Sequence, residues 1–376
     1  MAADGDPLDV IPADTPVPVL TVLSHPTLSR IGDRVFLGEL LHGHEALLSR
    51  HVPPFAAPRT QTGAGKPLGD PFLSRRPLRF TPLPDGGVAL HRDASPTPVA
   101  VGGGLLEEHQ SFSAALLDHG VVLELAGRIV LLLHRRPPPE PDPAPVAGLL
   151  GESAEIEALR RAIARAAPRP APVWLHGAAG TGKELAARSL HAQSPRAGGP
   201  FVTASLEEAA PDLSGPLGHA VGGTLFLSAV GEASPAAQKA LLQVLESRAP
   251  ERGDVRVIAA GAADLEAALR DRLGGLTLRL PPLRNRREDL GRLLLHFLGV
   301  ELAALGAEIP KDRFGAAPWI PPAMMIQLAL CDWPGNVRQL RHVARQLAAE
   351  GCGEDVLSPG DWINDLLPPT AQVGEG

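Results

Sequence analysis

Tyrosine is absent from this 376-residue chain, and aromatic residues of all kinds make up 3% of it. Cysteine occurs only as Cys331 and Cys352. Two widely spaced thiols exclude a disulfide framework and a cysteine metal cage, and read as ordinary reduced cysteines of a cytoplasmic protein. No apolar stretch is long enough to span a bilayer; the longest, Ile129 to Leu133, is a strand-sized run. The N-terminus, Met1 to Asp14, is acidic and lacks the basic-then-apolar order of an export signal, so no membrane partner is expected. The net charge of −7 gives no basic footprint for nucleic acid. Lysine is scarce too. Lys66, Lys183, Lys239 and Lys311 stand against many arginines, so a lysine at a chemically special position marks a specific need.

What is present divides the chain into textures. Short apolar runs separated by glycine and proline turns fill the first third: Val19 to Leu23, Val35 to Leu37, Pro77 to Phe80, Val88 to Leu90, Val121 to Leu125 and Ile129 to Leu133. Such runs predict an all-β sandwich over 17–134, with a hairpin turning at Gly127. Residues 1–16 read as a disordered N-terminus, and Pro53 to Pro67 as a disordered loop. The run Arg-Arg-Pro-Pro-Pro-Glu-Pro-Asp-Pro-Ala-Pro from Arg135 marks a proline-rich linker over 135–146. Beyond it, strand and helix patterns alternate over 147–284, opened by a helix that Ser153 caps and that carries Ile156, Leu159 and Ile163 on one face. From 285 to 365 the pattern is helical, with stripes at Leu290 to Leu298, Met324 to Leu330 and Val337 to Ala349; residues 366–376 form a tail. The fold class is thus multidomain: an N-terminal β-sandwich, then an α/β core with a helical C-terminal part.

The chemical signal lies in the α/β part. Gly177-Ala178-Ala179-Gly180-Thr181-Gly182-Lys183-Glu184 has the form G-x4-G-K, preceded by the apolar run Ala171 to Leu175 and followed by a helical pattern. Strand, glycine loop and helix in that order make a phosphate-binding loop. The glycines let backbone N–H groups face phosphate oxygens, the helix start adds partial positive charge, and Lys183 reaches the outer phosphates.

Six segments occur in a fixed order: Leu149 to Ser153, the loop Gly177 to Glu184, Gly222-Gly223-Thr224-Leu225-Phe226-Leu227, Val255 to Ala260, Leu280 to Arg284, and Trp333-Pro334-Gly335-Asn336-Val337-Arg338-Gln339-Leu340. Together they resemble the AAA+ domain of sigma-54-dependent transcriptional activators, the bacterial enhancer-binding proteins, over about Gly148 to Trp362. The resemblance implies a P-loop α/β core with a helical lid, and ATP or ADP as ligand. It places Leu149 to Ser153 near the adenine, the loop on the phosphates, and Arg338 as the lid arginine that senses the outermost phosphate. An arginine fork suits that role.

The departures concern catalysis and output. The family's second acidic strand ends Asp-Glu, for Mg²⁺ and for the attacking water; here the residues are Ser228 and Ala229. Loss of a general base typically lowers the rate about 10²–10⁴-fold. Ser205 replaces an asparagine, and Gly261-Ala262 replaces a polar Thr-Asn pair. Of two arginine fingers that act on a neighbouring subunit, only Arg272 aligns. The loop that engages sigma-54 is missing, since Leu217-Gly218-His219-Ala220 runs straight into Val221-Gly222-Gly223. After the lid, the segment Leu357 to Gly376 offers no room for a helix-turn-helix, so direct DNA binding is not expected.

The N-terminal region resembles a forkhead-associated (FHA) domain. Leu48-Ser49-Arg50 matches a Gly-Arg strand end, and Pro67 to Pro77 matches a Ser-Arg-x-His turn. The resemblance implies phosphothreonine recognition by Arg50, Ser74 and Arg75. Pro77 stands where that family has histidine, Ser49 where it has glycine, and no asparagine precedes Asn285. Three functional readings follow: a hydrolysis-deficient regulator that binds nucleotide and acts through protein partners, with or without assembly beside AAA+ relatives; a slow ATPase using Glu184 or Glu232 as substitute acids; and an interaction module whose P-loop is a relic. The place of Mg²⁺ is left open by the lost acids.

Overall fold

The structure, a computed structural model, describes residues 15–58, 65–93, 95–138, 148–207, 213–246, 254–312, 315–358, 360 and 362–363. The N-terminal segment 1–14, the central linker 139–147 and the C-terminal tail lie outside the described residues. The chain forms two compact units: residues 1–140 with 284–332 and 340–376, and residues 141–283 with 333–339.

The first unit is built on a two-sheet antiparallel sandwich. One sheet has the order β2-β1-β10-β9-β6-β7, with β1 Val17–Ser24, β2 Arg34–Phe36, β6 Val99–Val101, β7 Gly104–Leu105, β9 Val121–Leu125 and β10 Ile129–Arg136. The other is β3-β4-β5-β8, with β3 Ala46–Leu48, β4 Leu78–Pro82, β5 Val88–His91 and β8 His109–Phe112. Leu20, Val22, Phe80, Leu90, Phe112, Leu123, Leu131 and Leu133 fill the space between them. The hairpin β9–β10 turns through Ala126 and Gly127, both at positive φ, which matches the twist of the paired strands.

β1 is buried at every position. Successive side chains alternate between faces, so a second cover is required behind the sandwich core. Helices α7 Leu290–Ala304 and α8 Pro322–Leu330 supply it, packing on β1, β9 and β10. The approach of α7 is close: a Cβ on Gly291 would lie 2.2 Å from the Leu23 carbonyl oxygen. β10 continues to Arg136, two residues into the stretch read as linker, because Val17 and Pro18 still pair with it.

The reading of Pro53 to Pro67 as disordered is corrected at both ends. Phe55 exchanges backbone hydrogen bonds with Lys66, Ala56 pairs with Arg34, and the Phe55 ring is 1% exposed within the core. The Phe55 ring anchors the start of the segment in the core; residues 59–64 lie outside the described residues.

The second unit is a parallel sheet of order β12-β13-β14-β11-β15, with β11 Val173–His176, β12 Phe201–Ser205, β13 Thr224–Ser228, β14 Arg256–Gly261 and β15 Thr277–Arg279. Alternation along the strands fills two cores. Leu175, Ile258 and Ala260 face Ile156, Leu159 and Leu190, while Trp174, Leu225 and Val257 face Leu241 and Leu269. The helices are α2 Ala154–Ala166, α3 Lys183–Ala192, α4 Ser214–His219, α5 Pro235–Glu246 and α6 Ala267–Leu273. Ser153 caps α2 as the sequence indicates, its hydroxyl accepting from the Ile156 N–H.

Candidate nucleotide-binding site

The glycine loop leaves the carboxyl end of β11, an interior strand of the sheet, where ligands of such folds bind. Gly180 and Gly182 adopt φ of +75° and +99°, a region that favours glycine. Lys183 opens α3. Its ammonium donates to the carbonyls of Gly177 at 2.6 Å and Ala178 at 3.0 Å, which holds it over the loop. Burial lowers the Lys183 pKa from its ordinary value; Glu232 opposes the shift, and the Arg338 charge adds to it. Thr181 donates its hydroxyl to the Ala178 carbonyl.

Residues 333–339 belong to the same unit as the loop. The Gly335 carbonyl approaches so closely that a Cβ on Gly180 would sit 2.1 Å from it and 3.1 Å from the Arg338 Cβ. Arg338 therefore lies at the loop, on the first turn of α9 Asn336–Glu350. Sequence reasoning assigned Arg338 a role and passed over Asn336. That residue is 2% exposed, sits at φ +52°, donates its amide to the Ala179 carbonyl at 2.9 Å and accepts the Leu283 N–H at 2.8 Å. Arg160 was also missed. It is buried on the inward face of α2 and donates to the carbonyls of Leu149 and Gly151, fixing the segment that the resemblance sets beside the adenine. A lone arginine on an apolar helical stripe was its only signal.

The strand ends beside the loop carry little acid. Ser228 ends β13, and its hydroxyl donates to the Ala204 carbonyl at 3.4 Å; Ala229 follows at φ +54°. Ser205 sits opposite Ser228 across the β12–β13 pair. Gly261, at the end of β14, accepts the Gly177 N–H, which ties the P-loop to that strand. The two acids considered as substitutes part company. Glu184 lies exposed on α3 and accepts from Arg188 one turn on, at 2.6 Å. Glu232 accepts the Ala262 N–H at 2.8 Å and the Ala263 N–H at 3.4 Å, next to Gly261. Arg272 is exposed on α6 and donates to the Leu245 carbonyl. Among the described residues no three His, Cys, Asp or Glu side chains gather as a metal cage.

In the sandwich, the three residues marked for phosphopeptide binding come together. The Arg50 N–H donates to the Ser74 carbonyl, Gly69 donates to the Arg50 carbonyl, and Arg75 is exposed beside them. The Ser74 hydroxyl accepts the Arg76 N–H at 2.9 Å, and the Ser74 N–H donates to the Thr97 hydroxyl. A further residue holds this loop. Arg128 donates to both carboxylate oxygens of buried Asp70, covers the Phe72 ring at 4.3 Å, and donates to the Ala316 carbonyl ahead of α8.

A parallel sheet with a glycine loop at the end of an interior strand, a lysine opening the next helix and an arginine-bearing helix brought to that loop define a P-loop module of the AAA+ class. Residues 150–283 match the sigma-54 interaction domain family, and residues 284–372 match the AAA+ ATPase lid domain family. The chain carries the AAA+ domain of the sigma-54 activators. It is similar to the DNA-binding transcriptional regulator NtrC of Klebsiella pneumoniae, 34% identical over 274 residues, covering 62% of this chain and 57% of that protein. The crystal structure of NtrX from Brucella abortus in complex with ADP is 31% identical, with a TM-score of 0.50, over 59% of this chain and 55% of that one. The same protein in complex with ATP gives 32% identity, a TM-score of 0.50, and 58% and 54% coverage. The chain spans about half the length of the curated relatives it matches. No helix among the described residues is long and apolar enough to cross a membrane.

Proposed function

We propose that this chain is a nucleotide-dependent regulatory protein that binds ATP or ADP through Gly177 to Glu184 and Arg338, does not hydrolyse it at a useful rate, and acts through protein partners in the cytoplasm. One arrangement carries the reading: Lys183 and Arg338 meet at a loop locked by Asn336, while the adjoining strand ends offer Ser228, Ala229, Gly261 and Ala262. Binding groups are in place while these four strand-end positions supply no carboxylate, and a general base is worth about 10²–10⁴-fold. The solved NtrX complexes with ADP and ATP support the choice of ligand.

Output follows the same logic. α4 ends at His219 and β13 begins at Thr224, with a tight turn closed by the Gly223 N–H on the Ala220 carbonyl. That turn leaves no protruding loop to engage sigma-54, so regulation passes through other proteins, including AAA+ relatives whose nucleotide the exposed Arg272 would face. The sandwich is FHA-like in this reading, with Arg50, Ser74 and Arg75 offering guanidinium and hydroxyl donors to a phosphothreonine partner.

The test is titration of fluorescent ADP and ATP against the wild type and Lys183→Ala, with ATP turnover measured in parallel. Nucleotide binding that Lys183→Ala abolishes, with equal background turnover, supports the reading. Turnover well above the Lys183→Ala background would establish a slow ATPase instead. Equal weak binding by both proteins would leave only an interaction module with a relic loop.

A further inference from the structure

The acid pair lost from β13 served two roles in the resembled family, and the structure separates them. Ala229 itself brings no proton acceptor. A carboxylate does stand beside the loop, on a different segment. Glu232 lies four residues past Ser228, and its Oε1 is fixed by the Ala262 and Ala263 N–H groups. Those amides follow Gly261, whose carbonyl holds the Gly177 N–H at the start of the P-loop. The glycine matters here: a Cβ at 261 would lie 3.0 Å from Glu232 Oε2 and 2.8 Å from the Trp174 ring. With glycine at the end of β14, this carboxylate lies where a side chain at 261 would crowd it. Two backbone donors on one oxygen hold it in place, and its second oxygen remains for another cation.

The other side-chain oxygens placed at the site have partners of their own. Thr181 donates to Ala178, Ser228 donates to Ala204, and Glu184 is paired with Arg188 on the exposed face of α3. Mg²⁺ on a nucleotide keeps several waters and needs only one or two protein carboxylates besides the phosphates. One preorganised carboxylate therefore fits the ion, although no three-ligand cage occurs among the described residues. Glu232 also interacts electrostatically with Lys183, the residue that would contact the phosphates carrying the ion.

We propose that Glu232, seated at the Gly261 gap by the Ala262 and Ala263 amides, is the residue that receives Mg²⁺ on a bound nucleotide. The inference rests on the nucleotide-binding reading above and specifies its metal requirement. Without the ion, the same carboxylate repels the phosphates. The site then discriminates between metal-bound and metal-free nucleotide while still lacking a base.

The experiment measures ADP and ATP affinity of the full chain in Mg²⁺ and in EDTA, for wild type and Glu232→Gln, with nucleotide-dependent Mn²⁺ binding followed by electron paramagnetic resonance. Glutamine keeps an oxygen for the Ala262 N–H, and melting curves without nucleotide check that the variant folds. The wild type should bind more tightly in Mg²⁺. Glu232→Gln should lose about tenfold or more of that increment, bind at least as well in EDTA, and lose the bound Mn²⁺ signal. An undiminished increment and signal in Glu232→Gln would overturn the assignment while leaving nucleotide binding intact. Absence of wild-type nucleotide binding in either condition would overturn the nucleotide reading, and this one with it.

Discussion

The Asn336 side-chain amide donates to the Ala179 carbonyl at 2.9 Å, so one residue of the α9 start grips the middle of the glycine loop. Its Oδ1 accepts the buried Leu283 N–H in the same stroke. Asn336 also occupies φ +52°, which asparagine tolerates better than most residues. Replacing it with alanine leaves a buried donor unpaired and strains the backbone. Asn336→Ala should lose about 1–3 kcal/mol of stability in urea denaturation, and nucleotide affinity should fall although Lys183 is untouched.

Gly180 and Gly182 separate strain from collision. Both have positive φ, but a Cβ at 182 meets nothing within 4 Å, while one at 180 strikes the Gly335 carbonyl oxygen. Gly182→Ala should show only the left-handed penalty of about 1–2 kcal/mol. Gly180→Ala should lose more stability and also detach the loop from Gly335, lowering nucleotide affinity about tenfold or more. Denaturation and nucleotide titration on the two variants compare them directly.

His134 predicts a pH dependence. Its Nε2 lies 2.9 Å from Thr21 Oγ1 and 3.0 Å from Glu288 Oε2, yet burial first, then the Arg136 and Arg34 charges, push its pKa down to about 3. The contact with Glu288 is therefore made by a neutral imidazole, and the carboxylate takes its charge partner from Arg136 at 3.4 Å. A depressed histidine pKa means that the unfolded chain binds the proton and the folded chain does not. Its contribution is complete above the unfolded value of about 6.5 and is lost as pH falls toward 3, at up to about 1.4 kcal/mol per unit. Denaturation midpoints from pH 4 to 7 should fall less steeply for His134→Gln than for the wild type.

Gly291 tests how α7 seats on β1. Alanine would gain up to about 1 kcal/mol of helix propensity. Its Cβ would nevertheless stand 2.2 Å from the Leu23 carbonyl oxygen, a backbone atom that cannot turn aside. The collision outweighs the propensity, and Gly291→Ala should be destabilised by about 1–3 kcal/mol in thermal or urea unfolding.

Arg50 tests the sandwich surface. A charge-assisted hydrogen bond contributes about 1.5–3 kcal/mol, so Arg50→Ala should weaken a phosphothreonine complex by about tenfold or more. A phosphothreonine peptide library probed with the full chain, wild type and variant, reads this out. Capture that ignores phosphorylation would place the partner surface elsewhere on the sandwich.

The sequence by itself determined the P-loop, the strand runs and the lid stripes, because backbone freedom and hydrophobic period are local properties. Gly180 and Gly182 could be read as special from the motif alone, and β9, Gly127 and β10 as a hairpin from composition. It also showed that Ser228 and Ala229 lack carboxylates. Tertiary structure alone decided which groups stand around them. Asn336 and Ala179 are far apart in the chain, Glu232 meets the Ala262 and Ala263 amides only because β13 and β14 are adjacent, and Arg160 reaches Leu149 only once α2 has packed. The unbroken burial of β1 had the same origin. Its second face needed a cover, and which helices supplied it was set by long-range packing of α7 and α8, a choice that local periodicity does not encode.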